Sequence, residues 1–307
     1  GLRQLTDGPY DDMEACYLPC GNIAFCSSRC NRAVNCWYTR VAIIYRCDAD
    51  GNDIRPLSAN IEQDNTPWML PDGRLIHQRW EYVDRSQVNY HHLWISNPDG
   101  TRQTIFFGNM NPGITMIDAK SIPNSRNVVV SFSPGHGRKE HAGAITVLDP
   151  RDGPDHLPSA HRISTHDNHR DPWAFSETSF MAALNHKLQL INGQGEEYDL
   201  LTLSEEERAA GMWIHEPRPV IRREREIVVP DQVEWSRETG QLMLVDIYQG
   251  RNMEGVERGS IKYLRIVESA EKRNWTKLAW GGQGAQAPGM NWHNFENKRI
   301  LGTVPVE

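Results

Sequence analysis

Cysteines are concentrated near the start of this chain, where their spacing could support chemistry. The stretch CYLPCGNIAFCSSRCNRAVNC, residues 16–36, holds all of the cysteines except Cys47, which follows closely. Such a cluster can bind a metal, attach a haem or form disulfides that staple a loop. A c-type haem needs the sequence Cys-x-x-Cys-His, which does not occur. The cysteines themselves leave a metal site, disulfides and free thiols open.

Histidines form a second set of residues with chemical potential, and they recur in segments that are typical of loops. They occur in NYHHLW, SPGHGRKEHAG, STHDNHRDPWAF and IHEPRPV. Imidazole nitrogens are common ligands of Zn, Cu, Ni and Fe. We predict that any bound transition metal lies where His136, His141 and His215 converge. The alternative is that these histidines only hydrogen-bond to loop backbone and water, because no helical HExxH spacing is present.

Two segments that are dense in charged and aromatic residues supply further candidates. RWEYVDRS spans 79–86 and HRDPWAFSE spans 169–177. Arginine offers a planar fork to carboxylates, so these segments could hold a polar ligand or form structural ion networks. The ligand-binding candidates are Arg79, Glu81, His91, His92, Arg170, Asp171 and Glu216. No G-x-S-x-G elbow occurs, and no catalytic residue is predicted.

The elements that must position these residues are short strands joined by repeated turns. YLPCGNIAFCSSR (17–29) resembles MLPDGRLIHQRWE (69–81), and YRCDADGNDIRPLS (45–58) matches WISNPDGTRQTIFFG (94–108). Each is a strand, a Pro-x-Gly or Asp-Gly turn and a second strand, because glycine accepts the positive φ of a tight turn. The two Asp-Gly turns lie about 50 residues apart, which is about the length of one four-stranded propeller blade.

The repeat predicts an all-β fold, a β-propeller of six four-stranded blades that forms a single domain over residues 1–307. The predicted blades run over 12–58, 65–108, 115–165, 172–203 and 230–268, with a sixth built from the remainder and the strand 299–306 closing the ring. A β-sandwich is the rival fold, but its turns would lack the 50-residue period. Only 203–213 has helical composition, with Ser204 as N-cap, and 220–232 is typical of an extended crossing between blades.

Length, charge and composition restrict the classes of partner that the chain can bind. The chain has 307 residues and a net charge of −7, which disfavours a nucleic-acid backbone as partner. No apolar run approaches the roughly 20 residues of a membrane span. The first and last residues are typical of a domain excised from a longer protein, so missing targeting signals do not locate it. The 10 tryptophans also allow a glycan-binding module.

Several phrases taken together resemble a known family. They include YDDMEACYLPCGNIAF, DNTPWMLPDGRL, RWEYVDRSQVNYHHLW, SPGHGRKEHAGAI, RDPWAFSE and HEPRPV. The set resembles the propeller region of proteins related to the hydrazine synthase alpha subunit, and its repeats are similar to the periplasmic propeller of the Tol system. The resemblance implies a multihaem parent whose c-type haem domains lie beyond Glu307, with no haem in this chain.

The function implied is that of an extracytoplasmic, periplasmic scaffold that positions haem domains or partner subunits and is not itself catalytic. The alternative is a metal- or small-ligand-binding propeller that uses the histidines at the channel mouth. The lineage also favours disulfides. Cys20 replaces the Asp of the family's Pro-Asp-Gly turn and is paired with Cys26, while Cys30 and Cys36 bracket the loop NRAVN as a second pair.

Overall fold

Among the described residues, the regular secondary structure is mainly antiparallel β-sheet. The structure, a computed structural model, describes residues 2–35, 39–83, 85–137, 139, 141–240, 242–250, 252–269 and 298–306. These residues form four units of four strands and one two-stranded hairpin. Hydrogen bonding is continuous between the second and third units, because Tyr90 and His91 pair in parallel with Ile114 and Thr115.

The strands follow one another in chain order within each unit. Sheet 1 contains β1 (Asp12–Tyr17), β2 (Ile23–Ser27), β3 (Ile43–Cys47) and β4 (Arg55–Pro56). Sheet 2 contains β5 (Asp64–Met69), β6 (Leu75–Trp80), β7 (Tyr90–Ser96) and β8 (Thr104–Phe107). Sheet 3 contains β9 (Ile114–Ser121), β10 (Val128–Ser133), β11 (Ala144–Leu148) and β12 (Ala160–Arg162). Sheet 4 contains β13 (Arg170–Ser176), β14 (Ser179–Leu184), β15 (Lys187–Asn192) and β16 (Glu197–Thr202).

The remaining elements follow sheet 4. The helix α1 (Glu205–Ala209) is followed by a long irregular segment, and the strands β17 (Tyr263–Ser269) and β18 (Lys298–Pro305) form the hairpin. Ser204 is the N-cap of α1: its side chain accepts from Glu207 N while the Glu207 side chain accepts from Ser204 N. This capping box confirms the predicted helix start. No helix in the described part of the chain has the length and apolar character needed to cross a membrane.

Glycine turns join the strands as the repeated phrases predict. Gly21 and Gly73 have φ of 96° and 83° in the Pro-x-Gly turns, and Gly51 and Gly100 have φ of 83° and 85° in the Asp-Gly turns. Residues with a Cβ rarely adopt these values. The local sequence therefore decides where each hairpin reverses.

Neighbouring sheets pack face to face, which shields their faces from solvent. Every residue of β3, β6 and β11 is buried, so both faces of these strands are covered. Phe25 and Ile43 of sheet 1 share one apolar cluster with Trp80 of sheet 2, and Val129 of sheet 3 shares another with Phe180 of sheet 4. A two-sheet sandwich would leave one face of each sheet exposed. Burial on both faces fits blades that pack side by side.

The first four predicted blades match the four sheets closely. In the predicted fifth blade, 230–268, the only strand among the described residues is β17, and it pairs with β18. The predicted closing strand thus pairs with β17 and not with sheet 1 in the described structure. The count of six blades and the closure of the ring stay predictions.

The cysteine pairing is not supported. Cys16, Cys20, Cys26 and Cys47 are free thiols. Cys20 is exposed in the turn, whereas Cys26 is buried opposite Met13, three residues along β2 from Ile23 at the hairpin end. At about 3.3 Å per residue this is a separation of about 10 Å, beyond the roughly 7 Å that a disulfide spans. The predicted Cys30–Cys36 pair lies partly outside the described residues, because these exclude Cys36.

Candidate functional site in the central groove

The first strands of the four sheets, β1, β5, β9 and β13, contact one another in succession, and residues of β1, β5, β9 and the segment after α1 line a groove. Each of the four first strands carries one non-glycine residue in the left-handed backbone conformation, where the strand pairing shifts register. A fifth such residue follows α1. The set is Glu14, Thr66, Asp118, Asp171 and Glu216, with φ between 48° and 57°. Each costs about 1–3 kcal/mol of backbone strain, so the repetition indicates a feature that the surrounding structure maintains.

Hydrogen bonds link successive members of this set, which we call the inner ring. Thr66 N donates to Glu14 Oε2 at 2.7 Å, and Asp118 N donates to Thr66 Oγ1 at 3.3 Å. Glu216 N donates to Asp171 Oδ2 at 2.8 Å. Each bond joins neighbouring sheets, or sheet 4 and the segment after it. Among the described residues the Asp118 carboxylate accepts no hydrogen bond from Asp171 N, so the relay is interrupted there.

A second layer of side chains lies next to the inner ring. The Trp68 and Trp173 rings meet edge to face with centroids 5.6 Å apart. The guanidinium of Arg218 lies 4.7 Å from the Trp68 ring, and that of Arg223 lies 5.2 Å from Trp68 and 5.6 Å from Trp173. Cation–π contacts of this kind are attractive. The cavity left beside Lys120 is about 10 Å³, which is room for about one water molecule or ion.

Arg223 begins an extended segment, residues 223–235, which we call the strap. Arg225 Nε donates to Pro19 O at 3.0 Å, and Ile227 N donates to Pro71 O at 3.2 Å, so the strap contacts the first turns of sheets 1 and 2. A Cβ at Gly73 would overlap the Ile227 carbonyl, so glycine is required at this approach. Asp231 then pairs with Arg46 at 3.1 Å. The extended crossing that the sequence predicts at 220–232 therefore lies over the groove side of these turns.

The pKa values of two inner-ring carboxyls are shifted in opposite directions. Burial raises the pKa of Asp118 well above its usual value; the Lys120 ammonium, 3.9 Å from Asp118 Oδ1, opposes this, and the carboxylates of Asp171 and Glu216 reinforce it. Burial also acts to raise the pKa of Glu216, but Lys120 and Arg218 outweigh it and the pKa is lowered. The same surroundings therefore shift the pKa of Asp118 upward and the pKa of Glu216 downward.

Two of the clustered cysteines are part of the same region. Burial raises the pKa of Cys16 to about 12, and burial together with Glu14 raises the pKa of Cys26 well above its usual value. Cys26 Sγ donates to Glu14 Oε2 at 3.1 Å. Thiolates are the reactive form of cysteine. These two side chains are thus buried thiols, and Cys26 supports the inner ring through its hydrogen bond to Glu14.

Replacing Asp118 with asparagine should stabilise the protein at neutral pH. A carboxyl with a raised folded-state pKa contributes stability below its unfolded pKa, near 3.9, and loses that contribution as pH rises through the folded value. The asparagine side chain cannot ionise, and asparagine tolerates a positive φ. Urea unfolding at pH 4 and pH 7 should show a gain over wild type that is larger at pH 7. Asp72→Asn, in an exposed turn, is the control, and an equal gain in both variants would contradict the assignment.

The structure brings some predicted ligand-binding residues together and places others elsewhere. Asp171 and Glu216 meet in the inner ring. Arg79 instead forms a two-bond pair with buried Asp64, at 2.8 and 2.9 Å. Glu81 lies 2.7 Å from Arg85 and 3.3 Å from His92 Nε2. His91 stacks on Trp80 at 5.1 Å, and the Arg170 guanidinium lies 4.5 Å from the Trp213 ring. Ligand binding by these residues stays a prediction.

The three histidines of the predicted metal site have different neighbours. His136 lies against Trp80 and His91, with centroids 4.8 and 5.1 Å apart. His141 is exposed, and His215 Nδ1 lies 3.8 Å from Asp171 Oδ2. Two other groups bring potential ligand atoms within 4.8 Å of one another among the described residues: Asp118, Asp171 and Glu216, and His166, His169 and Glu197. Binding by the predicted trio is not tested by this geometry.

Sequence reasoning missed the inner ring, although a signal was present. Proline follows Thr66, Asp171 and Glu216, which gives the tripeptides TPW, DPW and EPR. Proline inside an apparent strand marks an edge or a bulge, because it donates no hydrogen bond to a neighbouring strand. Asp118 follows Thr66 by 52 residues, and Thr66 follows Glu14 by 52. This spacing is close to the turn repeat and would have aligned Glu14, Thr66 and Asp118.

Comparisons with known proteins bear on the fold. No protein-family model matches the chain, and no curated protein matches it. Among solved structures, the hydrazine synthase of Kuenenia stuttgartiensis is similar over 67% of this chain and 34% of its own, with a TM-score of 0.58 and 15% identity. TolB from Agrobacterium tumefaciens covers 62% of this chain and 65% of its own, with a TM-score of 0.46 and 14% identity.

A gluconolactonase from Xanthomonas campestris covers 62% of this chain and 62% of its own, with a TM-score of 0.44 and 14% identity. The chain thus spans about one third of the hydrazine synthase chain that it matches. At this level of identity the likeness concerns the fold alone. The chain is an all-β protein with a propeller-like arrangement of four-stranded sheets.

Proposed function

We propose that this chain is an interaction domain of an extracytoplasmic, periplasmic redox protein resembling the hydrazine synthase alpha subunit. In this proposal it positions haem domains or partner subunits of the parent and does not perform the chemistry itself. The phrases shared with that family and the structural likeness to a hydrazine synthase chain support the proposal. The match to only 34% of that chain leaves the haem chemistry to other parts of such a protein.

The observation that carries the proposal is the filling of the groove by the chain's own side chains. Arg218 and Arg223 lie against the tryptophan pair, and the strap covers the adjoining turns. The cavity that remains in this region is about 10 Å³. Pockets for small molecules are typically about 300–1,000 Å³. Among the described residues, the cavity beside Lys120 is too small for a substrate-sized molecule, which favours a role in binding other proteins.

An apolar surface suitable for a partner lies on the outer strand of sheet 4. Tyr198, Leu200 and Leu201 of β16 are 56%, 52% and 53% exposed. The segment 242–245, Leu-Met-Leu-Val, is also exposed. Contiguous exposed apolar residues are typical of interaction sites. Sheet 4 therefore supplies the surface on which we place the partner.

Lysine-directed cross-linking of the full-length protein, followed by mass spectrometry, tests the proposal. Lys187 on β15 and Lys262 before β17 should cross-link to a haem domain or partner subunit, because they lie in or beside elements with exposed apolar residues. Lys139, on the loop between His136 and His141, is the lysine whose cross-links serve for comparison. Leu200→Glu should reduce the Lys187 cross-links at least tenfold, because a charge disfavours burial of this surface. Thr202→Glu on the same strand is the matched control and should reduce them less.

Two outcomes would contradict the proposal. One is cross-linking from Lys139 that equals that of Lys187 and is unchanged in Leu200→Glu. The other is turnover of a nitrogen substrate by the isolated chain, since an interaction domain has no activity of its own.

A further inference from the structure

A histidine–carboxylate cluster lies between sheets 3 and 4 and involves none of the inner-ring residues. His166 and His169 belong to the connection that leads from β12 into β13, and Glu197 is the first residue of β16. His169 is held in place because its backbone pairs with Gly143 of sheet 3, with N–O distances of 2.9 and 3.2 Å. Residues about 30 positions apart in sequence are thereby brought to one point.

The geometry of the cluster matches the separations within one metal coordination shell. Glu197 Oε1 lies 3.2 Å from His166 Nε2 and 3.8 Å from His169 Nε2. One potential ligand atom from each residue lies within 4.8 Å of the other two. Two ligand atoms about 2.1 Å from a tetrahedral ion are about 3.4 Å apart. Small side-chain movements would therefore place all three atoms around one ion.

Unused hydrogen-bonding atoms are a second observation at the same point. His169 is completely buried, and its Nδ1 has no hydrogen-bond partner among the described residues. Glu197 Oε1 is also buried without a hydrogen bond within the described part of the chain. Buried polar atoms normally find partners. Glu197 Oε1 is thus available to an ion, while Oε2 lies 3.3 Å from His166 Nε2, and His169 Nδ1 can take up the imidazole proton when Nε2 binds.

We propose that His166, His169 and Glu197 bind a divalent transition metal ion of the Zn²⁺ class. Two imidazoles and one carboxylate are a donor set that Zn²⁺ accepts, whereas Ca²⁺ and Mg²⁺ prefer oxygen ligands throughout. His166 and Glu197 have side chains 32% and 20% exposed. An ion can thus enter from solvent, and a water molecule completes its coordination.

Binding requires two hydrogen bonds to be exchanged for metal bonds: the bond between His169 and Gln189, and the bond between His166 Nε2 and Glu197 Oε2, which are 3.3 Å apart. Gln189 Nε2 donates to Asp199 at 2.7 Å, so its Oε1 accepts from His169 Nε2 at 3.0 Å. When Nε2 binds the ion, the imidazole proton moves to Nδ1, the atom that lacks a partner among the described residues. His166 Nδ1 accepts from Asn168 N at 3.3 Å, so its Nε2 carries the proton. When this Nε2 binds the ion, the proton moves to Nδ1, the bond from Asn168 is lost, and the ring turns away from its stacked position 4.4 Å from His169. Its partial exposure permits this rotation.

Cobalt titration of the metal-stripped chain tests the proposal. Wild type should bind one Co²⁺ per chain with the visible absorption of a four-coordinate nitrogen–oxygen site, and Zn²⁺ should displace it. Glu197→Gln and His166→Ala should each weaken binding at least tenfold, because each removes one ligand. Both positions are partly exposed, so folding should survive, which circular dichroism checks. His161→Ala, an exposed histidine on β12, is the matched control and should bind as wild type does.

Three results would overturn the assignment. The first is no Co²⁺ or Zn²⁺ binding by wild type. The second is equal affinity in wild type, Glu197→Gln and His166→Ala. The third is a thiolate-to-cobalt absorption band, or loss of binding in His136→Ala with Glu197→Gln unaffected, because either would place the ion elsewhere.

Discussion

Replacing Arg79 with leucine should lower the free energy of unfolding by about 3–5 kcal/mol. Arg79 pairs with Asp64 through two hydrogen bonds of 2.8 and 2.9 Å, and Asp64 is completely buried. The same guanidinium donates to Gln103 Oε1 at 2.9 Å and lies 4.4 Å from the Trp94 ring. Its removal leaves a buried carboxylate without its cation. Guanidinium chloride unfolding at pH 7 measures the loss.

The double variant Asp64→Leu/Arg79→Leu should recover much of this loss, because no uncompensated charge then remains in the core. Arg74→Leu is the matched control, since Arg74 pairs with Asp72 where both side chains are more than one third exposed. Exposed pairs contribute about 0–1 kcal/mol. If Arg79→Leu cost no more than Arg74→Leu, the pair between β5 and β6 would not stabilise sheet 2 as described.

Acid should destabilise the protein by about 3 kcal/mol through His77 alone. Burial lowers the pKa of His77 from 6.5 to about 4, and neither ring nitrogen has a hydrogen bond among the described residues. The folded state therefore binds this proton less readily than the unfolded state. The contribution of neutral His77 is fully present above pH 6.5 and is lost as pH falls towards 4.

His77→Leu isolates this effect because leucine does not titrate. The difference in unfolding free energy between wild type and His77→Leu should shift by about 3 kcal/mol in favour of the variant between pH 7 and pH 4. His161→Leu removes an exposed histidine from β12 and serves as the control. A pH profile of His77→Leu that is parallel to wild type would show that His77 is accessible to protons in the folded state.

Short stretches of sequence specify the local architecture of this protein. The Pro-x-Gly and Asp-Gly turns depend on residues within a few positions of one another. The same holds for the strands of the four sheets and for the N-cap Ser204. A tight turn needs glycine at a positive φ, and a capping box needs Ser and Glu three residues apart. Short segments of sequence satisfy these requirements, so the bounds of the first four blades were predicted nearly correctly.

Packing between whole sheets sets which chemically active side chains meet. His166 and His169 lie beside Glu197 because sheet 4 folds back on the connection from sheet 3, and His136 lies against Trp80. Cys26 faces Glu14 rather than Cys20 because pairing with β1 fixes its position along β2. These contacts depend on how whole sheets pack. Spacing along the chain does not encode the rotation of one sheet on the next, so the hydrogen-bond relay of the inner ring appears only in three dimensions.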